Sequence, residues 1–218
     1  MAKQKIGVIL SGCGNRDGSE IHEATLTLWA IHKQGADFQC FAPDMDQHHV
    51  LNHFNGEEMA ETRNVLVESA RIARGNIRDI KEFRTADFDA VIFPGGAGAA
   101  KNLSTYAFEG PNCTVNDDVA RIIREMHAAA KPIGALCIAP VILARVLDGI
   151  TLTVGRDAAT EKDLAAMGAG SSPTGPGEIA VDRANKIVST PCYMLESRID
   201  QIGEGAENLV KAILEMTA

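Results

Sequence analysis

Short apolar runs alternate with longer stretches of helical periodicity along almost the whole chain, and that rhythm constrains the fold more than any single residue does. The runs are Ile6–Leu10, Phe38–Ala42, Ala90–Phe93, Ile133–Leu136, Leu152–Val154, Ile179–Val181 and Ile187–Ser189. Brief runs of this kind, bounded by Gly or Pro, read as buried strands. Between the first two, Glu20–Gln34 repeats apolar residues at helical spacing and ends at Gly35, a helix stop. Asp17-Gly18-Ser19-Glu20 has the form of a capping box that would start this helix. Further helices are predicted over Arg63–Arg74, Asp117–Ala130, Pro140–Leu147, Glu161–Met167 and Arg198–Met216. Strands alternating with helices imply a mostly parallel sheet with helices on both faces, a three-layer α/β sandwich.

Two segments read as additions to that frame. Val50–Phe54 before Asn55-Gly56 carries a hairpin-turn signal, and Asp182-Arg183-Ala184-Asn185 carries another between two short strands. Insertions are therefore expected around 46–60 and 170–190, with Gly168–Gly177 as a loop. No repeat, low-complexity tract or long linker divides the chain, so residues 1–218 are expected to form a single domain.

Composition enters by exclusion. The 218 residues carry 29 acidic and 21 basic side chains, a net charge of -8. Nucleic acids and anionic membranes call for a basic footprint, so neither partner is expected. No apolar run reaches spanning length, and the run after Met1–Lys5 is too short for a signal-peptide core. The five cysteines, at 13, 40, 113, 137 and 192, form no Cys-x-x-Cys pair. Free thiols in a reducing cytosol follow, with no zinc ribbon and no redox pair.

Three strand ends carry candidate chemistry. At Leu136-Cys137-Ile138-Ala139-Pro140 a strand ends on a cysteine and a helix begins at once. This is the layout of a nucleophile elbow, in which the helix N-terminus would favour the thiolate. The plainer role is a small buried residue. Pro94-Gly95-Gly96-Ala97 could bring backbone N–H groups close to an oxyanion, or be only a tight turn. In Ser11-Gly12-Cys13-Gly14 through Glu23, Glu20 and Glu23 share a helix face. They could meet Cys137 or merely complement the helix dipole. Cys13 is a rival nucleophile on a longer loop. Thr190-Pro191-Cys192-Tyr193 could line the same pocket, with packing the plainer role for Cys192 and Tyr193. His48 and His49 lie in the first addition and read as solvated, with no metal site expected.

Together these motifs resemble the PfpI/ThiJ superfamily, and within it the ElbB branch of isoprenoid-biosynthesis amidotransferase-like proteins. The resemblance is carried by Gly7–Gly14, Asp17–Ala24, Cys40-Phe41-Ala42-Pro43-Asp44, Glu61–Leu66, Pro94-Gly95-Gly96, Ala100–Leu103, Cys137-Ile138-Ala139-Pro140 and Thr190-Pro191. It implies the flavodoxin-like fold shared with class I glutamine amidotransferases, and it implies a homodimer. It maps the nucleophile onto Cys137 and its partner carboxylate onto Glu23, with Glu20 a secondary acid. Gly95, Gly96, Ile138 and Asn102 are the expected oxyanion and binding residues.

The histidines depart from the pattern. All six (22, 32, 48, 49, 53 and 127) precede Cys137, and the residue after it is Ile138. Neither usual Cys–His pairing is available, so glutamine and peptide hydrolysis are not expected. What remains is a Cys137–Glu23 dyad, which in related superfamily members serves cofactor-independent glyoxalases. The reading is thus an enzyme converting glyoxal or a related 2-oxoaldehyde to a 2-hydroxy acid such as glycolate, without metal or other cofactor. In it Glu23 shuttles a proton between the two carbons. A redox-sensing or holdase-type role for Cys137 and an accessory role in isoprenoid biosynthesis are the alternatives.

Overall fold

The computed structural model describes residues 3–217; Met1, Ala2 and Ala218, which the single-domain expectation includes, lie outside them. Seven strands form one sheet: β1 (Lys5–Ile9), β2 (Asp37–Ala42), β3 (Ile77–Asp79), β4 (Ala90–Phe93), β5 (Ile133–Leu136), β8 (Ala180–Asp182) and β9 (Ile187–Thr190), in the order β3-β2-β1-β4-β5-β9-β8. All neighbours run parallel except β8 and β9. The strands β6 (Thr151–Leu152) and β7 (Gly170–Ser171) pair separately, in parallel.

Helices cover both faces. Among the described residues the α-helices are α1 (Ile21–Lys33), α2 (Val65–Ile72), α3 (Ala97–Lys101), α4 (Tyr106–Glu109), α5 (Asp117–Ala128), α6 (Pro140–Val146), α7 (Ala158–Ala166) and α8 (Ile199–Met216). One apolar core joins alternate strand residues such as Val91, Phe93, Ile133 and Ala135 to α5 and α6; the other joins Val8, Ile92 and Leu136 to α1 and α8. A strand buried on both faces needs apolar residues at nearly every position, which is why these runs were continuous rather than alternating. The flavodoxin-like three-layer expectation therefore holds. At Gly134 a β-carbon would lie 2.6 Å from Ile213 Cδ1, so the missing side chain lets α8 settle onto β5. Among the described residues, no helix is long and apolar enough to cross a membrane.

The structure departs from expectation at several places. Leu152–Val154 is no strand of the main sheet, since only Thr151–Leu152 pairs, and with Gly170–Ser171. The strand β9 is not part of an insertion; it lies inside the sheet beside β5. The 46–60 segment turns as expected at Asn55-Gly56 but pairs through isolated bridges, Leu51–Glu58 within it and Asp46–Asn64 beyond it, and forms no strand. Asp17 does not cap α1. Glu20 does, accepting from the Glu23 N–H at 2.7 Å, while Asp17 accepts from Leu51 N–H at 2.8 Å and ties the segment to the site loop.

Candidate active site

The carboxyl ends of β1, β4, β5 and β9 converge on one point, the crevice where open α/β sheets bind ligands. Cys137 stands there one residue past β5. Its φ is 58°, a left-handed conformation that costs a non-glycine residue about 1–3 kcal/mol and persists only where the surroundings enforce it. Its own N–H is engaged with Thr190 O at 2.9 Å, so the β5–β9 pairing reaches Cys137. Pro140 opens α6 immediately after. The cysteine thus sits at the tip of a tight strand-to-helix turn.

Glu23 lies behind the thiol on the first turn of α1. It is wholly buried. Its carboxylate oxygens accept from Gly95 N–H at 3.0 Å and Tyr193 N–H at 3.3 Å, and Cys137 adjoins the group across Gly95. Burial, with Glu20 close by, raises Glu23 to about 8. Backbone N–H groups of Gly96 and Ile138 point at the sulfur, yet burial and the adjoining Glu23 push the thiol well above the ordinary cysteine range. The expected pull of the helix N-terminus toward the thiolate is therefore opposed here. A helix N-terminus and two N–H donors favour charge on sulfur, but the desolvation of a nearly buried thiol outweighs them. At neutral pH each member of the pair keeps its proton. The two titrate as a unit, and either position of the resulting charge meets two N–H donors.

The glycines are dictated by contact. A β-carbon on Gly95 would sit 2.5 Å from Cys137 Cβ, and one on Gly96, whose φ is 97°, would sit 2.2 Å from Glu20 N. Gly95 N–H is spent on Glu23, so of the two glycines only Gly96 faces the sulfur, beside Ile138. Asn102 lies off the wall of the cavity in front of Cys137. Its amide donates to Ser11 O and Asp17 O and accepts from His48 N–H, which ties three loops together.

In front of Cys137 opens a cavity of about 770 Å³, whose lining includes the small apolar Ala97, Ala100 and Ala107 and the polar Glu20, His22 and Tyr193, with Tyr106. Tyr193 therefore does more than pack: its backbone holds Glu23 and its hydroxyl lies 2.9 Å from His22 Nδ1. Cys192 is buried behind the site, its thiol pushed well up by burial and by Glu23. The rival Cys13 lies outside the cavity; burial and Glu68 raise its thiol. His48 and His49 are not simply solvated. His48 stacks on Phe108 at 4.1 Å, and Lys101 Nζ lies 3.0 Å from His49 Nε2. His127 lies 3.3 Å from Asn185, away from the site. Sequence reasoning missed His22, Tyr106 and Ala107. Only His22 carried a local signal, as the neighbour of Glu23 in the same motif.

A parallel α/β sheet with a cysteine on a strained strand-to-helix turn, backed by a buried acid from the first helix, defines a class of cysteine-centred α/β proteins. The chain belongs to the DJ-1/PfpI family, whose family model matches residues 23–184. It is 46% identical over 225 residues to the rat "ES1 protein homolog, mitochondrial", covering 99% of this chain and 85% of the relative. Identity is also 46%, over 223 residues, to the human "Glutamine amidotransferase-like class 1 domain-containing protein 3, mitochondrial", covering 98% of this chain and 83% of that protein. The crystal structure of an isoprenoid biosynthesis protein with an amidotransferase-like domain from Ehrlichia chaffeensis superposes with a TM-score of 0.90 at 34% identity, over 97% of this chain and 99% of that one. The relatives named here as mitochondrial overturn the expectation of a cytosolic compartment.

Proposed function

We propose that the chain is a cofactor-independent, glyoxalase-type enzyme that converts glyoxal or a related 2-oxoaldehyde to a 2-hydroxy acid. The observation that carries this reading is the adjoining Cys137–Glu23 pair, the buried acid held by the Gly95 and Tyr193 N–H groups and the cysteine opening on a cavity. Loss of one proton from the pair lets the carboxylate take the thiol proton. Sγ then attacks an aldehyde carbon, and the Gly96 and Ile138 N–H groups are placed for the adduct's oxyanion. The cavity is far larger than glyoxal and leaves room for a substituent on the second carbon.

Glycolate formation from glyoxal, followed by NMR, tests the reading. Wild-type protein should produce it, and Cys137→Ala should not. Equal turnover by the two proteins would sink the reading.

Glutamine hydrolysis is the weaker reading, because no hydrogen bond joins a histidine to Cys137 among the described residues. Peroxide sensing by Cys137 would need no substrate cavity, and the space in front of the cysteine is what favours the enzymatic reading. Membership of the ElbB branch is our reading of the relationship, supported by the 34% identity to the Ehrlichia protein.

A further inference from the structure

The reaction proposed above moves a proton from one substrate carbon to the next, and that needs a group facing the substrate. Glu23 cannot be that group. It is wholly buried and absent from the cavity wall, and both its oxygens already accept backbone N–H groups. The proton-carrying side chains that do line the cavity with Cys137 are Glu20, His22, Tyr106 and Tyr193. The Tyr106 hydroxyl is spent on Asp163 at 2.8 Å. Glu20 is committed to capping α1 through Oε2, with Oε1 at 4.0 Å from His22 Nδ1. The Tyr193 phenol is held up by burial and by the acids near it, so it keeps its proton. His22 is half-exposed. Its Nδ1 meets the Tyr193 hydroxyl at 2.9 Å, and its Nε2 has no hydrogen-bond partner among the described residues.

We infer that His22 is the substrate-facing acid–base residue of this site, with Tyr193 as the positioning residue that fixes its ring. The inference rests on the glyoxalase-type reading. It supplies in space the imidazole that the order of residues along the chain denies.

The steps balance as follows. The sulfur–carbon bond forms at C1 and the aldehyde oxygen takes up a proton, giving a hemithioacetal. His22 removes the C1 proton; the C–H electron pair becomes the C1=C2 bond, and the C2 carbonyl oxygen is protonated. The imidazolium returns its proton to C2 as the C1 carbonyl re-forms and the C1 hydroxyl proton leaves. Water then cleaves the thioester, releasing the 2-hydroxy acid and the thiol. The net change is addition of one water, with no external oxidant or reductant.

The test is chemical rescue. His22→Ala should lower kcat for glyoxal about 100-fold, and free imidazole should restore it severalfold. Cys137→Ala should show no such rescue. Tyr193→Phe keeps the backbone N–H that holds Glu23, and should lower kcat about tenfold at unchanged KM. Wild-type turnover in His22→Ala, or a loss that imidazole leaves untouched, overturns the role of His22 while leaving the glyoxalase reading in place. Wild-type protein without Cys137-dependent glycolate removes both.

Discussion

Cys13 and Cys137 begin from the same local pattern, a cysteine just beyond a buried parallel strand and before a helix, yet the fold gives them opposite surroundings. Between β1 and α1 the chain spends the whole of Leu10–Glu20 on a glycine-containing loop, and Cys13 comes to rest half-buried, outside the cavity, near Glu68 and Arg71. Between β5 and α6 it spends only Cys137–Ala139, which forces φ to 58° and lifts the thiol into the cavity. The length of the connection, more than the identity of the neighbours, separates a passive thiol from a poised one. A short turn leaves the chain no alternative conformation, and the surrounding hydrogen bonds then enforce the strain.

The sharpest way to break this comparison is to remove each sulfur in turn. Cys137→Ala should abolish conversion of glyoxal, by about 1000-fold or more, while Cys13→Ala stays within about twofold of wild type in the NMR assay. Comparable losses in both variants would show that the elbow confers nothing special.

Glu23→Gln comes next. It should lower kcat about 100-fold, because no carboxylate is left to take the thiol proton. In wild type, turnover should climb with pH and level off above about 8, where Glu23 titrates. The same shift has a stability consequence. The folded protein holds a proton on Glu23 up to about 8, whereas the unfolded chain releases it near 4.3. Between those values the native state binds more protons, so stability falls as pH rises, by on the order of 4 kcal/mol for a fully buried group. Urea titrations at pH 5 and pH 8 should show that loss in wild type and a much smaller one in Glu23→Gln.

Gly96→Ala should cost about 1–3 kcal/mol through its positive φ alone, and more from the 2.2 Å approach to Glu20 N. Thermal melts should show the loss, together with reduced turnover. The smallest expected effect concerns the cavity. Phenylglyoxal should be turned over at least as efficiently as glyoxal, since the wall of Ala97, Ala100 and Ala107 leaves space for a ring. Strong preference for glyoxal would mean that the cavity closes in solution.

The layered fold could be read from the sequence because its strands are buried on both faces and announce themselves as apolar runs. The strand β3 could not, since Ile77-Arg78-Asp79 is a short edge strand with a single apolar residue. Nor could the brief helices α3 and α4, which are shorter than any window of periodicity. Cys137 and Gly96 were visible from strand–turn–helix grammar, while Glu23 needed the family resemblance. The protonation state of the thiol was misjudged because a helix terminus is a local feature and desolvation is not. His22 was set aside for coming before the nucleophile in the chain, although α1 carries it to the same strand ends.

The amide of Cys137 belongs to the ladder between β5 and β9, bonded to Thr190 O. It should therefore exchange its hydrogen with solvent only when β9, with its partner β8, lifts away from β5. Each such opening would release the φ constraint on the sulfur and, through Tyr193 beyond β9, the grip on Glu23 as well. The fraction of molecules able to react at any moment is then the fraction with that seam closed, and the seam can open while the rest of the sheet stays folded.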